Sequence, residues 1–120
     1  MRTCVTITIG GQSVAMSCNA LTRLYYKHVF GKNLMHCLRD DVTEEEADDM
    51  VPELAYIMAM DAAGADMSAL NRSTYMDWLR DFGLMDFYTD DVVLQIRGLI
   101  AGNQAVDTDL KKSPDQQTGS

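Results

Sequence analysis

The side chains able to ligate a metal or act as nucleophiles are few: Cys4, Cys18, Cys37, His28 and His36. None form a C-x2-C or H-x3-H pair, and their intervals lack the usual zinc spacing. A nucleophilic cysteine needs a base and a third group that orients it. Cys37 adjoins His36, but neighbours on a helix do not face each other. His28 falls on an apolar helical stripe, the ordinary place for a hydrogen-bonded histidine at the edge of a core. No G-x-S-x-G motif or cysteine-protease signature occurs. The sequence therefore assigns no catalytic residue, no metal ligand and no cofactor.

Acids are abundant in one place. Asp40, Asp41, Glu44, Glu45, Glu46, Asp48 and Asp49 put seven carboxylates into ten residues. A run of that density is the solvated face of a helix more often than an acid–base pair. It lacks the glycine of an EF-hand loop. Gly10-Gly11 precedes a strand and not a helix, and no G-x-x-x-x-G-K-[ST] phosphate cradle is present. Arg23 and Lys27 form a basic strip too small for nucleic acid in a chain of net charge −8, because phosphate binding requires an excess of Lys and Arg.

The elements that must carry these residues follow from local pattern. Val5, Ile7 and Ile9 alternate with Thr6 and Thr8, as do Val14 and Met16 with Ser13 and Ala15. With Gly10-Gly11 between them, this predicts a β-hairpin over 3–9 and 12–17. A lone hairpin is marginal in water, so it must lean on helices or on another chain's strand. Asn19 caps a helix with Leu21, Leu24, Tyr25, His28 and Val29 on one face, Tyr26 and Phe30 as an aromatic pair, and Gly31 at its end. Leu34 to Arg39 adds a turn or two. Thr43 and Glu46 form a capping box. Pro52 places a break near Met50–Val51, with a new helix over Val51–Ala63. That helix is apolar nearly all round, which marks a buried element. Ser73 caps a helix carrying Tyr75, Trp78, Leu79 and Phe82, ended by Gly83. Thr89 or Asp90 caps a last helix with Val92, Val93, Ile96, Leu99 and Ile100 inward, closed by Gly102-Asn103. The predicted fold is mostly α (α+β): a hairpin at 3–17, about five short helices in a helical part over 19–103, one domain over 1–103, and a disordered tail over 104–120.

At 120 residues, 47% apolar and 23% charged, the chain fits one domain with a core of its own. No apolar run is long enough to span a membrane. Three cysteines at wide spacing form no disulfide framework, and the N-terminus lacks a signal-peptide apolar block. The expectation is a reduced, cytoplasmic protein.

Two composition features point to partners. Residues 1–39 hold Arg2, Arg23, Lys27, Lys32 and Arg39 and no acid, a charge of +5, while all 18 acids and the other five bases leave 40–120 at −13. Either the two parts dock within one monomer or identical subunits meet head to tail, with Arg23 and Lys27 against Asp40, Asp41, Glu45 and Asp48. The chain also holds nine methionines. Methionine fills cores and recurs on adaptable binding surfaces. Beside the core-filling reading stands a groove for an apolar helical partner, built from Met50, Leu54, Met58, Met60 and Met76.

A hairpin leads into a helix with Thr22, Tyr26, Phe30-Gly31 and Asn33-Leu34; later come a small-residue-rich apolar helix and then Ser73-Thr74-Tyr75-Met76-Asp77-Trp78-Leu79. Over roughly residues 5–100 this order resembles the tail assembly chaperones of long-tailed, non-contractile phages and prophages, especially those of Gram-positive hosts. The T-x-x-x-Y-x-x-x-F-G-x-[DN]-L helix and the aromatic-x-x-Trp-Leu helix carry the likeness. The resemblance implies no catalytic group. It implies a protein that binds the tape measure protein, keeps it soluble and helps recruit the major tail (tube) protein. It further implies action in the cytoplasm of the bacterial host and absence from the finished virion. The expected partners are those two proteins and further copies of the chain, with neither nucleic acid nor membrane. The rival expectation is a small acidic phage-encoded adaptor or inhibitor that binds a basic host protein through the 40–49 acids.

Overall fold

The computed structural model describes residues 4–37 and 43–112. Strands β1 (Cys4–Ile9) and β2 (Gln12–Ser17) form the antiparallel hairpin, with Val5 opposite Met16 and Ile7 opposite Val14. Gly10 and Gly11 have φ of 58° and 83°. A two-residue turn with both φ positive matches the strand twist and favours glycine at both places. One face of the hairpin, carrying Ile7, Ile9 and Met16, is buried, while Thr6, Thr8, Ser13 and Ala15 face outward. The hairpin thus leans on the helices, one of the two alternatives that its uncharged, alternating sequence left open.

Helix α1 (Ala20–Phe30) starts at Asn19, whose side chain accepts from the Leu21 N–H, and ends at Gly31 with φ 67°. Its buried face is Thr22, Tyr25, Tyr26, Val29 and Phe30. Leu21, Leu24 and His28 are exposed, which corrects the predicted stripe. Tyr26 and Phe30 outweigh the leucines because their rings, 5.4 Å apart, join a larger aromatic cluster. Helix α2 (Leu34–Cys37) is a single turn.

Helix α3 (Glu44–Ala62) begins at the predicted Thr43–Glu46 capping box but runs unbroken through Pro52. A proline inside a helix costs about 3 kcal/mol. Burying one large apolar side chain returns about 1.5–3 kcal/mol, and every residue from Met50 to Ala59 is buried. Packing along the whole segment therefore overrides the local break. The carbonyl deprived of its N–H partner belongs to exposed Asp48, within reach of water.

A 3-10 turn at Met67–Ala69 leads to α4 (Arg72–Leu79). Its cap is Asn71, two residues before the predicted Ser73, in a capping box with Thr74. The helix stops at Leu79, short of Gly83, and residues 80–89 form turns. Helix α5 (Asp90–Lys112) buries Val92, Ile96 and Ile100 and half-buries Val93 and Leu99, as predicted. It continues beyond Gly102-Asn103, so residues 104–112 of the expected tail are helical. Glycine and asparagine weaken a helix without forbidding it. The next strong breaker is Pro114, and residues 113–120 lie outside the described residues. The described architecture is one hairpin, four helices of eight or more residues and the short α2, packed around α3.

Candidate functional site

An open cleft of about 530 Å³ lies where α3, α4 and the 80–89 turns meet. Asp49, Pro52 and Glu53 come from α3; Arg72, Tyr75 and Leu79 from α4; Phe82, Leu84, Phe87 and Tyr88 from the turns; and Lys32 closes one end. The volume falls within the range of ligand pockets, about 300–1,000 Å³.

The floor is held by a buried carboxylate. Tyr26 Oη donates to Glu53 Oε1 at 2.8 Å, and Lys32 Nζ donates to both Glu53 oxygens at 3.1 Å. The Glu53 side chain is 5% exposed and that of Lys32 41%, so the charge is neutralised from the solvent side. This pair joins the basic N-terminal part of the chain to the acidic remainder within one monomer.

Tyr75, Phe82, Phe87 and Tyr88 give the cleft aromatic walls, and most of these rings belong to a longer series that runs into the core. Tyr26, Phe30, Tyr75, Tyr56, Trp78, Phe82 and Phe87 form one continuous series of rings at centroid distances of 4.8 to 5.6 Å. Seven of the nine aromatic residues are thus in mutual contact. The edge-to-face pairs among them each add about 0.5–1.5 kcal/mol beyond area burial. Tyr56 also hydrogen-bonds Thr74 at 2.6 Å, tying α3 to α4. The Arg72 guanidinium lies 5.8 Å from the Phe30 ring centroid. Burial, reinforced by the negative Glu53, raises the Tyr75 phenol well above its ordinary pKa. Burial followed by Asp49 and Asp48 raises that of Tyr88. Both phenols therefore stay protonated at neutral pH.

The outer lip is apolar and exposed. Leu84 is 89% exposed, the adjacent Met85 61% and Tyr88 38%. Two contacts hold this segment against the hairpin turn. Gln12 Nε2 donates to the Asp81 carbonyl at 2.6 Å, and the Asp86 carboxylate packs so closely over Gly10 that a Cβ there would overlap it.

The predicted groove residues do not converge on this cleft. Met50, Leu54 and Met58 are buried in the core. Met60 lines a smaller hollow between β2 and the end of α3, and Met76 is exposed on α4 without lining either space. The core takes the first three because α3 is packed on several sides by the hairpin, α1, α4 and α5. Of the predicted self-association residues, Arg23, Lys27, Glu45 and Asp48 are exposed; Asp40 and Asp41 lie outside the described residues. Sequence reasoning missed Leu84, Met85 and Tyr88. The available signal was two large apolar residues, Leu84 and Met85, between Gly83 and Asp86 in a connection that no helix claims.

Among the described residues, no group of three or more His, Cys, Asp and Glu is placed to hold a metal ion. No helix among them is long and apolar enough to cross a membrane.

No family model matches the chain, and neither a curated protein nor a solved structure matches it.

Proposed function

We propose that this protein is a phage tail assembly chaperone: it binds apolar helical segments of the tape measure protein, keeps them soluble and helps recruit tail tube subunits. The observation that carries the reading is the cleft lip, where Leu84, Met85 and Tyr88 stand exposed beside an aromatic-walled opening. An amphipathic helix docks by laying apolar anchors into such a groove. The order of hairpin, T-x-x-x-Y-x-x-x-F-G helix, apolar helix and Trp-Leu helix supplies the family resemblance. In this reading the protein works in the bacterial host cytoplasm, takes no cofactor, catalyses nothing and leaves before the virion is complete.

Co-expression with the tape measure protein of the same phage or prophage tests it. The wild type brings the client into the soluble fraction as a complex on size exclusion. Leu84→Asp with Met85→Asp, both at exposed positions, leaves the client insoluble. A client that stays insoluble beside the wild type overturns the reading. A specific observation favours one rival. Glu44, Glu45, Glu46, Asp48 and Asp49 are all exposed, which suits an acidic adaptor for a basic host protein. Such binding weakens steeply with salt, whereas apolar client capture does not.

A further inference from the structure

The exposed side of α1 is itself a basic amphipathic surface. At about 100° per residue, Ala20, Leu21, Arg23, Leu24, Lys27 and His28 share one arc of about 160°. All six are exposed, and Leu21 and Leu24 are 38% and 42% exposed. The leucines occupy one side of the arc and Arg23 and Lys27 the other. Neither base pairs with a described acid of its own chain.

The cleft lip presents the complement. Leu84 and Tyr88 border the opening together with Asp49, and Asp48 and Asp49 lie close enough to act on the Tyr88 phenol. Glu45, Asp48 and Asp49 are spaced i, i+3, i+4, so they share one exposed face of α3. Like charges at that spacing disfavour a helix, and the last two lie beyond the first turn, where the helix dipole would compensate them. An approaching pair of cations relieves that repulsion while two leucines cover the apolar lip.

We propose that the α1 face of one copy docks on the cleft lip of a second copy, leucines on Leu84 and Tyr88, Arg23 and Lys27 on the acidic face of α3. The inference deepens the self-association expected from the split charge and rests on that reading, independently of client binding. The contact is heterologous, so each docking leaves one of each surface free unless two copies close on each other. It also places a second copy over the apolar lip whenever no other occupant fills it.

Light scattering after size exclusion tests this on the full chain. At low salt the wild type has a mass of at least two subunits, falling toward one as salt rises. Arg23→Glu with Lys27→Glu weakens association about tenfold or more, as does Glu45→Lys with Asp48→Lys, because opposed charges become like charges. An equimolar mixture of the two charge-reversed proteins restores the mass. Leu24→Asp, at an exposed position outside the charged pair, abolishes association while circular dichroism matches the wild type. A wild type that is monomeric at low salt and high concentration overturns the proposal. So does a mass indifferent to Leu24→Asp, or a mixture that fails to restore association. The client plays no part in these readings, so failure of the chaperone reading leaves them unaffected.

Discussion

The two halves of α3 are one continuous helix with opposite fates. From Glu44 to Asp49 no residue is buried, and Glu44, Glu45, Glu46, Asp48 and Asp49 face solvent; from Met50 to Ala59 every residue is buried. The first half owes its helicity to local chemistry. Thr43 Oγ1 accepts from the Glu46 N–H at 3.1 Å, and acids crowd the positive end of the helix. The second half contains a proline and is helical because the hairpin, α1, α4 and α5 enclose it. The contrast teaches that continuity of a helix does not imply a common cause. A capped surface turn can continue into a packed core segment that holds a residue local preference would reject.

The largest expected effect breaks the buried half. Ile57→Ala lowers unfolding free energy by about 2–5 kcal/mol in urea titration, since it removes buried atoms and leaves a cavity. Glu45→Ala in the exposed half changes it by no more than about 0.5 kcal/mol. Equal effects would remove the distinction between the halves.

A smaller effect sharpens it at the one acid of the buried half that lines the cleft. Lys32→Met removes the ammonium from both Glu53 oxygens and leaves the carboxylate accepting from the Tyr26 hydroxyl. Loss of a partner to a fully buried charge costs about 3–5 kcal/mol. Exposure of Lys32 lets water replace part of it, which reduces the expectation to about 1–3 kcal/mol. Adding Glu53→Gln recovers part of that loss, so the double-mutant cycle gives a coupling energy well away from zero. Additive losses would show that the pair contributes nothing as a pair.

The smallest effect concerns alkaline pH. The Tyr75 phenol, held above the ordinary value of about 10 by burial and Glu53, keeps its proton longer in the folded than in the unfolded chain. Its contribution to stability is complete below about pH 10 and is lost as pH climbs toward the folded-state value. Urea midpoints should therefore hold level up to about pH 10 and decline above it, with a shallower decline in Tyr75→Phe. An unchanged slope in that variant would place the alkaline loss elsewhere, with Tyr88 the next group to test.

What the sequence by itself determined lies within one or two turns of chain. Gly10-Gly11 set the hairpin and its ends, Asn19 and Gly31 bounded α1, and Thr43 with Glu46 started α3, because turns and caps are satisfied by residues three or four positions apart. The apolar run after Pro52 already announced burial on every side. Tertiary structure alone decided the rest. The α1 face is oriented by Tyr26 and Phe30, which meet α3 and α4 residues far along the chain. The predicted methionine groove divides between core and surface because α3 is enclosed on several sides. Pro52 stays helical because distant elements supply more packing energy than the break would save. The cleft unites Lys32, Glu53, Arg72 and Leu84, residues no local pattern connects; their meeting is a consequence of packing among elements, and so is the exposure of the lip beside them.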